Sequence, residues 1–130
     1  MKRYQGNRFI IEESQETIKV NIRSIDEYVS SKYTRQLKGT LAKAKANLAS
    51  IIPELISSAS NRRWVQNNDD KHRNDAKQGW IRYDAYFSLP VQAENESEKR
   101  WNKYRCTIII ESNDTGMYLY DIINIKKESE

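Results

Sequence analysis

A single histidine, His72, stands between Lys71 and Arg73 in a polar run. An imidazole titrates near neutrality, so at that position it could accept or release a proton beside two cations that attract an anion. A solvated surface histidine is the plainer alternative. Arg82 and Arg105 fall in two alternating segments, at positions opposite the apolar rows. Guanidinium groups presented in this way suit bidentate contact with phosphate, and pairing of Arg82 with Asp84 or Asp75 is the competing reading. Thr107, Tyr118 and Tyr120 could donate hydrogen bonds to a phosphate or stack on unpaired bases; sheet packing with the hydroxyl at the rim is the alternative. Arg62, Arg63, Lys71, Arg73 and Lys77 supply further cations, and Trp64 and Trp80 flank that run as places to hold a base or anchor a core.

Other chemistries lack their residues. One Cys and one His exclude a disulfide framework and a thiolate–imidazole zinc site. Cys106 lies in an apolar run and reads as a small buried hydrophobe that fits a reducing cytosol. Asp69, Asp70 and Asp75 do not have calcium-loop spacing, no glycine-rich phosphate cradle occurs, and neither a Gly-x-Ser-x-Gly elbow nor a Cys/His pair is present. No metal and no cofactor are predicted.

The chain has 130 residues, the size of one domain. Leu, Ile, Val and Phe make up about 21% of it, just above the level at which folding fails, so the predicted core is modest. No apolar run is long enough to cross a bilayer, and no leader-like segment follows the charged start; the expectation is a cytoplasmic chain with no membrane partner. The net charge of +4 is unevenly spread: residues 1–78 carry a balance of +6 and residues 79–130 one of −2. One positive face would attract phosphate-bearing ligands, while solvated helix lysines would give the same count.

These residues need elements to place them. Residues 8–12 and 17–22 read as a β-ribbon within a segment 1–23. Ser24, with Glu27 three residues on, reads as a capping box opening a helix over 25–37 that Gly39 closes. The apolar spacing of Leu41, Ala44, Leu48, Ile51, Ile52, Leu55, Ile56 and Ala59 predicts a second helix over 40–59, kinked at Pro53. Residues 61–79 read as a basic polar loop. Alternation then predicts strands at 80–89, 101–111 and 117–125, with Asn113-Asp114-Thr115-Gly116 as a hairpin turn. The expectation is a single α+β domain: an N-terminal ribbon and two helices packed on a C-terminal antiparallel sheet, a three-stranded meander with room for a fourth strand.

Arg63-Trp64, the run Lys71 to Tyr83, Leu89-Pro90-Val91 and the closing Met117-Tyr118-Leu119-Tyr120-Asp121-Ile122-Ile123-Asn124-Ile125-Lys126-Lys127 resemble the C-terminal domains catalogued as large polyvalent protein-associated domains of phage and conjugative elements. These look like a phage-borne branch of the barnase–EndoU–colicin–RelE nucleases. The likeness covers about residues 60–127. It implies helices followed by a four-stranded antiparallel sheet, and a metal-independent RNA-cleaving site on the concave sheet face. It also implies a bacterial host cytoplasm, RNA as substrate, and an immunity or other protein as partner. His72, Arg82, Thr107 and Tyr120 are the positions that fit the catalytic residue types. The second histidine of an EndoU-like acid–base pair is absent. Two functions follow from this: a ribonuclease-like toxin or effector domain, and a non-catalytic accessory domain that binds protein or nucleic acid.

Overall fold

In the computed structural model, residues 1–66, 79–90 and 100–128 are described. After a 3₁₀ turn at Lys2–Tyr4 come β1 (Arg8–Ile10) and β2 (Thr17–Lys19), then α1 (Ile22–Ser30), α2 (Lys32–Gln36), α3 (Gly39–Leu48) and α4 (Ile52–Ser57). The strands β3 (Ser60–Val65), β4 (Gly79–Pro90), β5 (Trp101–Asn113) and β6 (Gly116–Lys127) follow. The chain is α+β, as expected, but the sheet is larger than the sequence suggested. It has six strands in the order β1-β2-β6-β5-β4-β3.

The ribbon does not lie on the sheet; it extends it. Ile18 and Lys19 of β2 run parallel to Met117 and Tyr118 of β6, so the sheet is mixed and not purely antiparallel. At the other edge, the first part of the expected loop is β3, antiparallel to β4. Gly79 opens β4 at φ +113°, and a Cβ there would lie 2.6 Å from the Trp64 indole nitrogen, so only glycine admits that ring.

The two expected helices are each broken. Asn21 caps α1 instead of Ser24: its side chain accepts from the Ser24 N–H at 2.8 Å, and its own N–H donates to Ser24 Oγ at 3.1 Å. Both residues are good caps, and the earlier one captured the first turn. Ser31 is extended, ends α1, and caps α2 by accepting from the Thr34 N–H at 3.1 Å. The second helix does not kink through Pro53. A 3₁₀ turn at Ala49–Ile51 separates α3 from α4, and Pro53 sits in the first turn of α4, where a missing N–H costs nothing.

The strand alternation of β4 and β5 is realised. Ile81, Tyr83, Ala85, Phe87 and Leu89 join Tyr104, Cys106, Ile108 and Ile110 on the face that meets Ile25, Tyr28, Ala44, Leu48, Ile52, Leu55 and Ile56 of the helices. In β6 the alternation fails. Register shifts between Arg105 and Thr107, and between Ile109 and Ile110, place extra residues in β6. Its core residues are therefore Leu119, Ile122 and Ile125, three apart, where strict alternation pairs Ile123 with Ile125 and Leu119.

Lys45 is 2% exposed inside this core. Its ammonium donates to Asp121 Oδ1 at 2.6 Å and to Thr34 Oγ1, and lies 4.8 Å and 5.2 Å from the ring centroids of Tyr28 and Tyr33. Asp121 also accepts from the Ile122 N–H at 2.8 Å. A charge pair that would be costly to bury bare is thus hydrogen-bonded on both sides.

Burial, then the nearby Asp84 charge, push the Cys106 thiol up to about 12. A thiol reagent at pH 8 is expected to leave native Cys106 unmodified and to label it fully in denaturant. Rapid labelling of the folded protein would contradict the packing.

Candidate phosphate-binding face

The outer face of the sheet, opposite the helices, collects the polar positions of β4, β5 and β6. The register sets its rows: Trp80 opposite Glu111, Arg82 opposite Ile109, Asp84 opposite Thr107, and Tyr86 opposite Arg105. Across β6, Tyr118 lies opposite Glu111 and Lys126 opposite Arg105.

Exposure changes along this face. Thr107, Ile109 and Glu111 are buried, while Trp101, Lys103 and Arg105 are exposed. At the boundary a cavity of about 310 Å³ is lined by Asp84, Tyr86, Arg105, Thr107, Asn124 and Lys126. Asp84 is already occupied there. The Asn61 amide donates to Oδ2 at 2.7 Å and Arg63 to Oδ1 at 2.9 Å, and these contacts, Asn61 first, hold its carboxyl below the usual range despite partial burial. Among the described residues neither Arg105 nor Lys126 has an ion pair or side-chain hydrogen bond. Two free cations, the Thr107 side chain and the Asn124 amide therefore line one concavity, a donor set suited to an anion. Asn124, at φ +53°, stands in the β6 bulge that brings Lys126 opposite Arg105.

The buried end holds a second constellation. Glu111, 1% exposed, is ion-paired with Arg23 through Oε1, and among the described residues its Oε2 has no hydrogen-bond partner. One row away, the Arg82 Nε is buried, likewise without one. The competing pairing of Arg82 with Asp84 does not form, because Arg63 and Asn61 hold that carboxylate.

The sequence-predicted residues separate into groups. Arg82, Thr107 and Tyr120 come together on neighbouring rows: Tyr120 is the extra β6 residue beside Ile109, about 10 Å from Arg82 by strand spacing. The Tyr120 ring meets Trp80 edge-on at 4.7 Å. Tyr118 stands one row on, its hydroxyl 2.8 Å from Thr115 Oγ1. Arg62 is held away from the cavity in a two-point pair with Glu16, at 2.7 and 3.1 Å, and Arg63 is committed to Asp84. His72, Lys71, Arg73, Lys77 and Asp75 lie outside the described residues. Sequence reasoning missed Glu111, Tyr86, Lys103, Asn124 and Lys126. Asn124, set among Ile122, Ile123 and Ile125, was the available signal for the bulge.

Among the described residues no cluster of three His, Cys, Asp or Glu side chains could hold a metal, and no helix is long and apolar enough to cross a membrane. Comparisons with protein-family models, with curated proteins and with solved structures find no match to the chain.

Proposed function

We propose that this chain is a ribonuclease-like domain of a phage or other mobile element, binding RNA phosphates on its outer sheet face and cleaving without a metal. The observation that carries the reading is the cavity in which Arg105 and Lys126 lie opposite each other beside Thr107, free of ion pairs among the described residues. Cations outside any ion pair, beside a carboxylate already held by Asn61 and Arg63, attract a phosphodiester. Attack by the RNA's own 2′-OH then needs a base, a cation near phosphorus and an acid for the departing 5′-oxygen. His72 is the candidate for proton transfer, Arg82 for the charge gathering on phosphorus, and Thr107 and Tyr120 for hydrogen bonds to the phosphate. An immunity or other protein partner belongs to the same reading.

The test is incubation of the purified chain with total RNA and with transfer RNA in EDTA. Cleavage is expected to persist, to leave 2′,3′-cyclic phosphate ends, and to spare DNA, which lacks the attacking hydroxyl. Intact RNA after long incubation with demonstrably folded protein would overturn catalysis. A non-catalytic RNA-binding accessory domain is the second reading. It is favoured by one observation: among the described residues the cavity holds no imidazole, and its one carboxylate is already paired.

A further inference from the structure

We propose that the exposed end of the outer face is a track for an unpaired nucleic-acid strand, an inference that rests on the RNA reading above and specifies the form of its ligand. β5 presents Trp101, Lys103 and Arg105 at alternate positions there, opposite Pro90, Ser88 and Tyr86 of β4. Alternate side chains along a strand stand about 6.8 Å apart, of the order of one extended nucleotide step. Trp101 is 56% exposed and Tyr86 61% exposed, so two aromatic rings stand largely in solvent on a face that also bears cations.

Tyr86 is also a wall shared by two cavities. It lines the 310 Å³ cavity with Arg105 and Lys126, and a second cavity of about 380 Å³ with Phe87, Ser88, Lys103, Tyr104 and Glu128. Each concavity contains a cation without an ion pair among the described residues, and the exposed Tyr86 borders both. An exposed ring bordered by cations in two adjoining concavities suits a stacked base with phosphates to either side along a single strand. Aromatic platforms need a free base face, which a duplex hides in its stack, and stacking is indifferent to the sugar. Two acids border this stretch: Asp84, whose carboxylate is held by Asn61 and Arg63, and Glu128, whose backbone N–H donates to the Lys103 carbonyl at 2.8 Å.

Fluorescence anisotropy of the full chain with labelled oligonucleotides tests this. Single-stranded RNA and single-stranded DNA are expected to bind at least about tenfold more tightly than duplex RNA, because the rings select unpaired bases. With three cations engaged, the slope of log affinity against log salt is expected near −2, and Arg105→Ala flattens it by about 0.7. Tyr86→Ala and Trp101→Ala each weaken binding roughly 5- to 100-fold, and Tyr86→Trp restores it. Both rings are exposed, so circular dichroism melts of these variants are expected to match the parent. Duplex RNA bound as tightly as single strands overturns the track, and so does parent-like binding by both alanine variants. Strong binding of single-stranded RNA that is never cut overturns the cleavage reading and supports the track. Cleavage with KM unchanged in Tyr86→Ala does the reverse.

Discussion

Lys45→Met is expected to destabilise the protein by about 3–5 kcal/mol, because it leaves the Asp121 carboxylate buried without its cation. In a chain of this size that corresponds to a melting temperature lower by roughly 10–20 °C, read by circular dichroism. Methionine fills much of the lysine stem's space, so the loss reports charge and not a cavity. Lys45 joins α3 to β6 through Asp121 and to the α2 residue Thr34, and no other described side chain contact spans those three elements with a charge. The discriminating variant is the double replacement Lys45→Met with Asp121→Leu. Removing both charges is expected to recover most of the loss, since an apolar pair of similar volume has no desolvation cost to offset. A single variant melting within a few degrees of the parent would mean that water reaches Asp121, contrary to its 2% exposure.

That ion pair was also out of reach of sequence reasoning, and the reason is physical. A lysine at a helix position beside the apolar stripe ordinarily reads as solvated, and strict alternation sets Asp121 on the same side of its strand as Leu119, Ile123 and Ile125 without giving it a partner. Alternation located β4 and β5 well because both faces of each strand lie in register with neighbours over twelve consecutive pairs. It misread β6, where two bulges convert a period of two into Leu119, Ile122 and Ile125. It missed β3, since an edge strand made of Ser60, Asn61, Arg62 and Arg63 carries the polar composition that keeps edges from aggregating. The parallel pairing of β2 with β6 joins residues about a hundred positions apart, and no local pattern encodes it. The helix breaks at Ser31 and before Pro53 were visible as cap and turn residues, but the continuing apolar stripe outweighed them.

The candidate site divides along the same line. Arg82, Arg105 and Thr107 were placed on the outer face by period two alone, and the register puts them there. The partner cation Lys126 read as part of a solvated tail. It comes opposite Arg105 only because Asn124, in a left-handed conformation, takes up the additional β6 residue. Arg62 and Arg63 had the right charge in the wrong place: their ion pairs with Glu16 and Asp84 bind the edge strand to its neighbours.

In the ribonuclease reading, His72→Ala is expected to lower the cleavage rate by roughly 10²–10⁴-fold, the usual contribution of a group that moves a proton in the transition state. His72 is the one imidazole in the chain, so no second histidine can take over the proton. Arg82→Ala is expected to lower kcat by about 10²–10³-fold, the usual cost of losing one preorganised donor to a developing oxyanion. Its buried Nε has no protein hydrogen bond to lose, so the effect of its removal falls on the substrate step more than on the fold. Arg62→Ala provides the control. That guanidinium is already bound by Glu16 at two points, so its loss is expected to alter the melting temperature and leave the rate within a few-fold of the parent. Single-turnover cleavage of a labelled RNA, with each variant's melt recorded beside it, separates the three. An unchanged rate in His72→Ala would keep an active enzyme and remove His72 as its base. Equal losses in Arg82→Ala and Arg62→Ala would instead mean that charge lost anywhere on this half of the sheet weakens RNA binding, and that Arg82 has no particular role at phosphorus.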